Sequence, residues 1–298
     1  MVVAMKNILQ YYYEIIISSN KINDKGYFSY NNHLFCLYEY QRNINELEAL
    51  NYLNKLMILR KISINRIIEN IFHEPLTVHN KKNYVLILVD YEYQNNANLK
   101  FIPAFNDKRL DILKRNNWSY LWSIKIDYIE YQLKHLKNSY PLINNSVNYY
   151  IGMAENAISY FNMLNLSDVG LYIGHRRINT TNIYNPVELV IDYKMRDIAE
   201  YLKYNFVNNK MTIYDIKKYV NNLNVSNIDY ILLYNRLLYP SFYFDLYEKI
   251  INDGTLEKEI NKIVDLRDSY EELLYEVYMV IKKRVNILGI DWINKKYM

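Results

Sequence analysis

A chain of 298 residues, 51% hydrophobic and 23% charged, is long enough for one large domain or two ordinary ones, and its apolar content excludes wholesale disorder. Six glycines and five prolines are too few for β-sandwiches, propellers, collagen-like repeats or Gly-rich phosphate loops, and the single cysteine, Cys36, removes disulfide frameworks and cysteine-based zinc clusters. The 36 basic residues exceed the 32 acidic ones by four but are scattered among them, so no basic stripe or arm marks a nucleic-acid binder.

Taken in chain order, residues 5–19 read as an opening helix or strand rich in Tyr11, Tyr12 and Tyr13. Glu14 interrupts the apolar string that runs into Ile15-Ile16-Ile17, and no small-residue cleavage pattern follows, so a cytoplasmic address is expected. Asn20 to Gly26 form a polar turn, and Tyr27 to Tyr30, an Asn31-Asn32 turn and Leu34 to Tyr40 predict a β-hairpin. From Asn45 the period changes, with Leu47, Leu50, Leu53, Leu56 and Met57 recurring at helical steps. Strand-like runs follow at Ile67 to Phe72 and Tyr84 to Val89, with His79 to Asn83 as the polar loop between them.

Beyond residue 107 the pattern is helical almost throughout. Trp118, Leu121, Trp122, Ile126 and Ile129 mark one helical stripe running into Gln132 and Leu136, and Asn148 to Leu164 mark another. Strands are expected at Val169 to Ile173 and Val187 to Ile191, and helices over 194–208, 212–222, 226–238, 242–252, 256–264 and 266–284. No window holds the roughly 18 uninterrupted apolar residues of a membrane span. The basic runs Lys108-Arg109 with Lys114-Arg115, and Lys282-Lys283-Arg284, read as solvated helix faces. The whole predicts an α+β protein of two lobes: residues 1–92 as a small β-rich N-lobe, then 93–298 as a hinge (near 90–105) and a large helical C-lobe with a two-strand insert at 168–193.

That order suggests a bilobal, protein-kinase-like fold, and the insert is where such a fold keeps its chemistry. The segment runs Gly174-His175-Arg176-Arg177-Ile178-Asn179-Thr180-Thr181-Asn182 and leads to the strand Val187 to Asp192. It resembles the catalytic loop of aminoglycoside-phosphotransferase-like kinases, a His-x-Asp followed five residues later by Asn, with a metal-binding Asp closing the next strand. His175, Asn182 and Asp192 match; Arg177 stands where the Asp that orients the substrate hydroxyl belongs. The stretches Trp118 to Gln132, Tyr149 to Tyr160, Arg196 to Lys203 and Leu232 to Asp245 are similar, in this order, to the spore-coat-kinase-like branch of Firmicutes proteins. This resemblance covers roughly residues 25–295. It implies the bilobal fold, a low-GC bacterial source and a spore-coat association, with Asn182 and Asp192 as the ligands of any magnesium ion.

The departures bear on activity. Kinases of this fold bridge the nucleotide phosphates with a strand Lys that a Glu on the next helix holds. On the matching strand here, His33 to Tyr38, either Leu37 or Tyr38 stands at that position, while Glu46 and Glu48 open the helix. Gly26 is the only glycine before Gly152, so no loop gives phosphate a close backbone approach. Arg177 is permanently charged, accepts no proton and repels a metal. An ion pair of Arg177 with Asp192 or Glu155, filling the old metal site, is the expected consequence. His175 reads as a packed structural histidine, Asp197 as a tie from its helix to the catalytic-loop region, and Cys36 as a small buried hydrophobe. The leading reading is a degenerate kinase-like module with a protein partner and no cofactor. The alternatives are a phosphotransferase acting on a small hydroxylated molecule with ATP and magnesium, and a nucleotide sensor without turnover in which Asn182, Asp192 and Glu48 hold the cofactor.

Overall fold

Asn31 and Asn32 both adopt positive φ, 49° and 63°. This is the left-handed pair that a two-residue hairpin requires and that Asn tolerates better than most residues. They join β1 (Tyr27–Tyr30) to β2 (His33–Glu39). A second turn of the same kind, Asn80 and Lys81 with φ of 49° and 64°, joins β4 (Thr77–His79) to β5 (Lys82–Val89). With β3 (Arg66–Ile68), these strands make an antiparallel sheet of order β1-β2-β5-β3, and β4 also pairs with β5. The computed structural model describes residues 2–91, 99–136, 139–178 and 182–298. The lobe boundary expected at residue 92 and part of the expected hinge therefore lie outside the described residues.

Period-two alternation gives the sheet two faces. On one, Phe28, Leu37, Tyr84 and Leu86 pack against Met5, Ile8 and Leu9 of α1 (Val2–Tyr13). Gly26 precedes this sheet with φ of 84°, and a Cβ there would stand 2.4 Å from the Leu37 carbonyl oxygen, so only glycine lets the strands approach. Helix α2 (Asn45–Leu59) buries Leu47, Leu50, Leu53 and Met57. Its Asn54 amide is completely buried and acts as a surrogate strand: Nδ2 donates to Asn65 O at 2.7 Å and Oδ1 accepts from Ile67 N at 3.0 Å.

The remaining elements are helical apart from three short strands. They comprise β6 (Ile102–Pro103), α3 (Trp118–Leu136), α4 (Pro141–Asn162), β7 (Leu171–His175), β8 (Leu189–Tyr193) and α5 (Met195–Val207). Helices α6 (Ile213–Asn221), α7 (Asn227–Leu238), α8 (Ser241–Asp253), α9 (Asn261–Val264), α10 (Arg267–Lys282) and α11 (Asp291–Tyr297) follow. Thr212 and Ser226 cap α6 and α7 with reciprocal capping boxes to Asp215 and Asp229.

The chain forms two compact units. One contains residues 1–100, 104–114 and 175–191, and the other contains 101–103, 115–174 and 192–298. In the first, the 104–114 segment is strapped to α2. Tyr52 donates to Asp107 Oδ2 at 2.9 Å, and the Arg109 guanidinium lies 3.6 Å from the centre of the Tyr52 ring.

Several expected elements shift. The opening segment is a helix, not a strand, and it ends at Tyr13. The expected strand at 67–72 stops at Ile68, because Asn70 turns the chain: its Oδ1 accepts from the backbone N–H of Phe72 and Glu74. The polar loop expected over 79–83 contracts to two residues, with His79 and Lys82 paired in strands. The strands expected at 169–173 and 187–191 lie two residues further on, so that Pro186–Glu188 forms a 3₁₀ turn and β8 extends through Asp192.

Candidate functional site

In the first unit, the two candidates for the phosphate-lysine position separate by strand alternation. Leu37 points into the α1 core, and Tyr38 points to the opposite face. There the Tyr38 hydroxyl donates to Glu188 Oε1 at 2.8 Å. Burial, reinforced by the neighbouring Glu188 charge, pushes the Tyr38 phenol well above its ordinary value, so it remains a neutral donor.

Of the two acids that open α2, one is engaged locally. Glu46 accepts from Nε of Arg42 at 2.9 Å and pairs with Nη2 of the same residue, one helical turn away. Nη1 of Arg42 donates to Val187 O and Leu189 O at 2.8 Å each, fixing the 3₁₀ turn beside α2. Glu48, the other acid that opens α2, is exposed. The sheet face thus holds Tyr38–Glu188 and Arg42–Glu46.

The loop that carries the resemblance is braced from inside. The Nε2 of His175 lies 2.8 Å from Ile183 O, with the ring largely buried, so this histidine is tied to backbone. Arg176 N donates to Glu188 O at 2.9 Å, Arg177 Nη1 donates to Arg176 O at 2.9 Å, and Asn182 Nδ2 donates to Arg177 O. Within this unit the fold gathers His175, Arg177 and Asn182 in one loop and leaves Glu48 apart on α2. Asn179, Thr180 and Thr181 lie outside the described residues.

Asp192 belongs to the second unit and is 1% exposed. Its Oδ1 accepts from Trp118 Nε1 at 2.8 Å and from Tyr193 N at 2.7 Å, and its Oδ2 is paired with Arg196 Nη1. Within its own unit Asp192 is thus paired with Arg196, which follows it by four residues on α5, and Glu155 is exposed on α4. Both oxygens of Asp192 carry N–H donors and a guanidinium lies against them, so this donor set does not fit a magnesium ion. Among the described residues, no group of three or more His, Cys, Asp or Glu is placed to hold a metal.

Sequence reasoning missed what lies next to Asp192. Glu200 Oε1 accepts from Lys203 Nζ and Arg236 Nε at 2.8 Å each, and Lys203 also donates to Arg236 O, Tyr239 O and Ser241 Oγ. The Arg236 guanidinium lies 4.9 Å from the ring centre of Trp118, which stacks on Trp122, and Trp122 stacks on Tyr239 at 4.3 Å. All five ionic residues are at least nine-tenths buried. Asp197 packs against the strand as expected: a Cβ on Gly174 would meet its Oδ1 at 2.9 Å.

A small antiparallel sheet with one long helix beside it, followed by a mostly helical remainder, is the fold of the kinase-like phosphotransferases. An aminoglycoside phosphotransferase from Alicyclobacillus acidocaldarius matches it with a TM-score of 0.55 and 8% identity, over 90% of this chain and 97% of that one. Spectinomycin phosphotransferase in its AMP-bound complex matches with a TM-score of 0.58 and 13% identity, over 92% and 97%. At such identities the likeness is one of fold alone.

The chain belongs to the family described as spore coat putative kinase YutH, whose model matches residues 6–277. Endospore coat-associated protein YutH of Bacillus subtilis (strain 168) is 27% identical over 209 residues, an alignment spanning 60% of this chain and 61% of that protein. No helix among the described residues is long and apolar enough to cross a membrane.

Proposed function

We propose that this protein is a spore-coat-associated module that has kept the kinase-like fold for binding or scaffolding and transfers no phosphate. The observation that carries this reading is Asp192, whose two oxygens are occupied by Trp118, Tyr193 and Arg196 in the interior of its unit. Phosphoryl transfer needs metal ions to neutralise the charge that develops on the phosphate oxygens, and an Asp held this way already balances the charge of a buried guanidinium. Tyr38 adds to the argument, since a neutral phenol bonded to Glu188 supplies none of the charge of a phosphate lysine. Association with the coat is carried over from the relative's description.

The test is thermal unfolding with and without millimolar ATP and magnesium, run alongside an assay for phosphate release. A ligand at 100 times its dissociation constant stabilises a native state by about 2.7 kcal/mol, a readily visible shift in melting temperature. The expected result is no shift and no release. A magnesium-dependent shift without release would replace this reading with that of a nucleotide sensor. A shift accompanied by release or transfer would make the protein an enzyme.

A further inference from the structure

Helix α3 carries two apolar stripes. The first, Trp118, Trp122, Ile126 and Ile129, is buried. The second lies well round the helix from it, beyond the polar sector of Ser123, Asp127, Glu130 and Lys134. It consists of Leu121, Ile124, Tyr128 and Tyr131, which are 37%, 49%, 45% and 62% exposed, with Tyr120 beside them at 60%. A soluble helix normally has one apolar face directed at its core and polar residues opposite. The spacing 121-124-128-131 is three, four, three, the a/d seam of two helices that supercoil about each other.

Two of the seam side chains have partners along the helix: Gln132 Nε2 donates to the Tyr128 hydroxyl at 2.9 Å, and Tyr131 packs edge-on to His135 with ring centres 4.7 Å apart.

We infer that this face of α3 packs against α3 of a second copy of the chain, in parallel and in register. The flanking positions bear on the direction. With Leu121 and Tyr128 at a and Ile124 and Tyr131 at d, the e positions are Lys125 and Gln132, and the g positions are Tyr120 and Asp127. An antiparallel pair would set Lys125 against Lys125 and Asp127 against Asp127. A parallel pair sets Tyr120 against Lys125 and Asp127 against Gln132, with no like charges facing. Lys125 is paired with Glu248 of its own chain, so Asp127 facing Asp127 is the main repulsion against the antiparallel pair.

The area agrees with a modest dimer. Five side chains exposed to this degree present about 500 Å², so two copies bury about 1,000 Å², the lower end for a specific interface. This inference goes beyond the proposed function and holds whether or not the protein binds nucleotide, because its readout is mass rather than melting temperature.

The experiment is sedimentation equilibrium of the full chain up to about 100 μM, high enough to populate a weak dimer. It would be repeated on Ile124→Glu and on Tyr214→Glu, the latter a control at an exposed tyrosine of α6. A dimer that Ile124→Glu weakens at least tenfold and Tyr214→Glu leaves intact is expected; a monomer at every concentration overturns the inference. Because Cys36 is the sole cysteine and is buried, an introduced thiol has no competitor. Ile124→Cys should form an interchain disulfide under mild oxidation, and Glu130→Cys, in the polar sector, should not. A wild-type dimer in which Ile124→Cys fails to cross-link would place the interface elsewhere and equally sink the proposal.

Discussion

The indole of Trp118 donates its Nε1 hydrogen to Oδ1 of Asp192 at 2.8 Å, with both side chains removed from solvent. Three N–H donors converge on this carboxylate, from the indole, a backbone amide and the Arg196 guanidinium. Asp192 therefore works here as the internal counter-ion of Arg196. It also fixes the N-terminal end of α3 against β8 and α5.

That role predicts the effect of Asp192→Asn. The amide keeps an acceptor for Trp118 but turns an NH₂ group towards the buried Arg196, so that the cation loses this carboxylate. Breaking a buried pair by removing one partner costs about 3–5 kcal/mol. Urea unfolding should show a loss of this order. A neutral or stabilising effect, the behaviour of mutually repelling ligands around an empty cation site, would contradict the assignment.

Tyr38→Phe isolates the other substitution of the kinase pattern. It removes the 2.8 Å bond to Glu188 and leaves a half-buried carboxylate short of a donor, while the ring keeps its packing. Hydrogen bonds to charged groups contribute about 1.5–3 kcal/mol, and partial exposure of Glu188 places the expected loss near the lower figure. Chemical denaturation of the single variant checks this, and Glu188→Gln, which keeps an acceptor, should lose less than Tyr38→Phe.

Cys36 is 5% exposed in the middle of β2, and burial pushes its thiol up to about 12. Only the thiolate reacts, so at pH 8 the native protein presents about one reactive thiolate in 10⁴ chains on ordinary acid–base arithmetic. Alkylation should be slow in buffer and fast in urea, with a rate set by unfolding. Rapid labelling of the native chain at pH 8 would show that β2 is open to solvent.

How much of this was legible in the sequence depended on distance along the chain. Helix α2 could be read because Leu47, Leu50, Leu53 and Met57 repeat within one element, and the hairpin because Asn31-Asn32 is local turn chemistry. Strand β4 could not: three residues carry no periodicity, and only pairing with β5 makes them a strand. Leu37 and Tyr38 were indistinguishable until α1 covered one face of the sheet. Glu200 was beyond reach for a similar reason: Lys203 pairs with it from the same helix, but Arg236 comes to it from another helix, 36 residues on. The membership of residues 104–114 and 175–191 in the N-terminal unit rests on contacts with α2 that no window of sequence contains. The second stripe on α3, by contrast, has a spacing that a heptad count of residues 121–131 would have found.

The tyrosines make the last prediction. Of the 34, Tyr40, Tyr160 and Tyr247 are pushed up to about 12, principally by burial, and Tyr270 stands further above its usual 10.0 for the same reason. In the unfolded chain these phenols ionise near pH 10. Above that pH the native state holds protons that the unfolded state releases, so stability falls as pH rises. It is fully present below pH 10 and is lost progressively through pH 12. Phenolate absorbance should therefore be followed together with far-ultraviolet circular dichroism. The buried set should ionise together, at the pH where the helical signal collapses. A single smooth titration of every tyrosine near pH 10, with no change in helicity, would be incompatible with the packing described for Tyr160, Tyr247 and Tyr270.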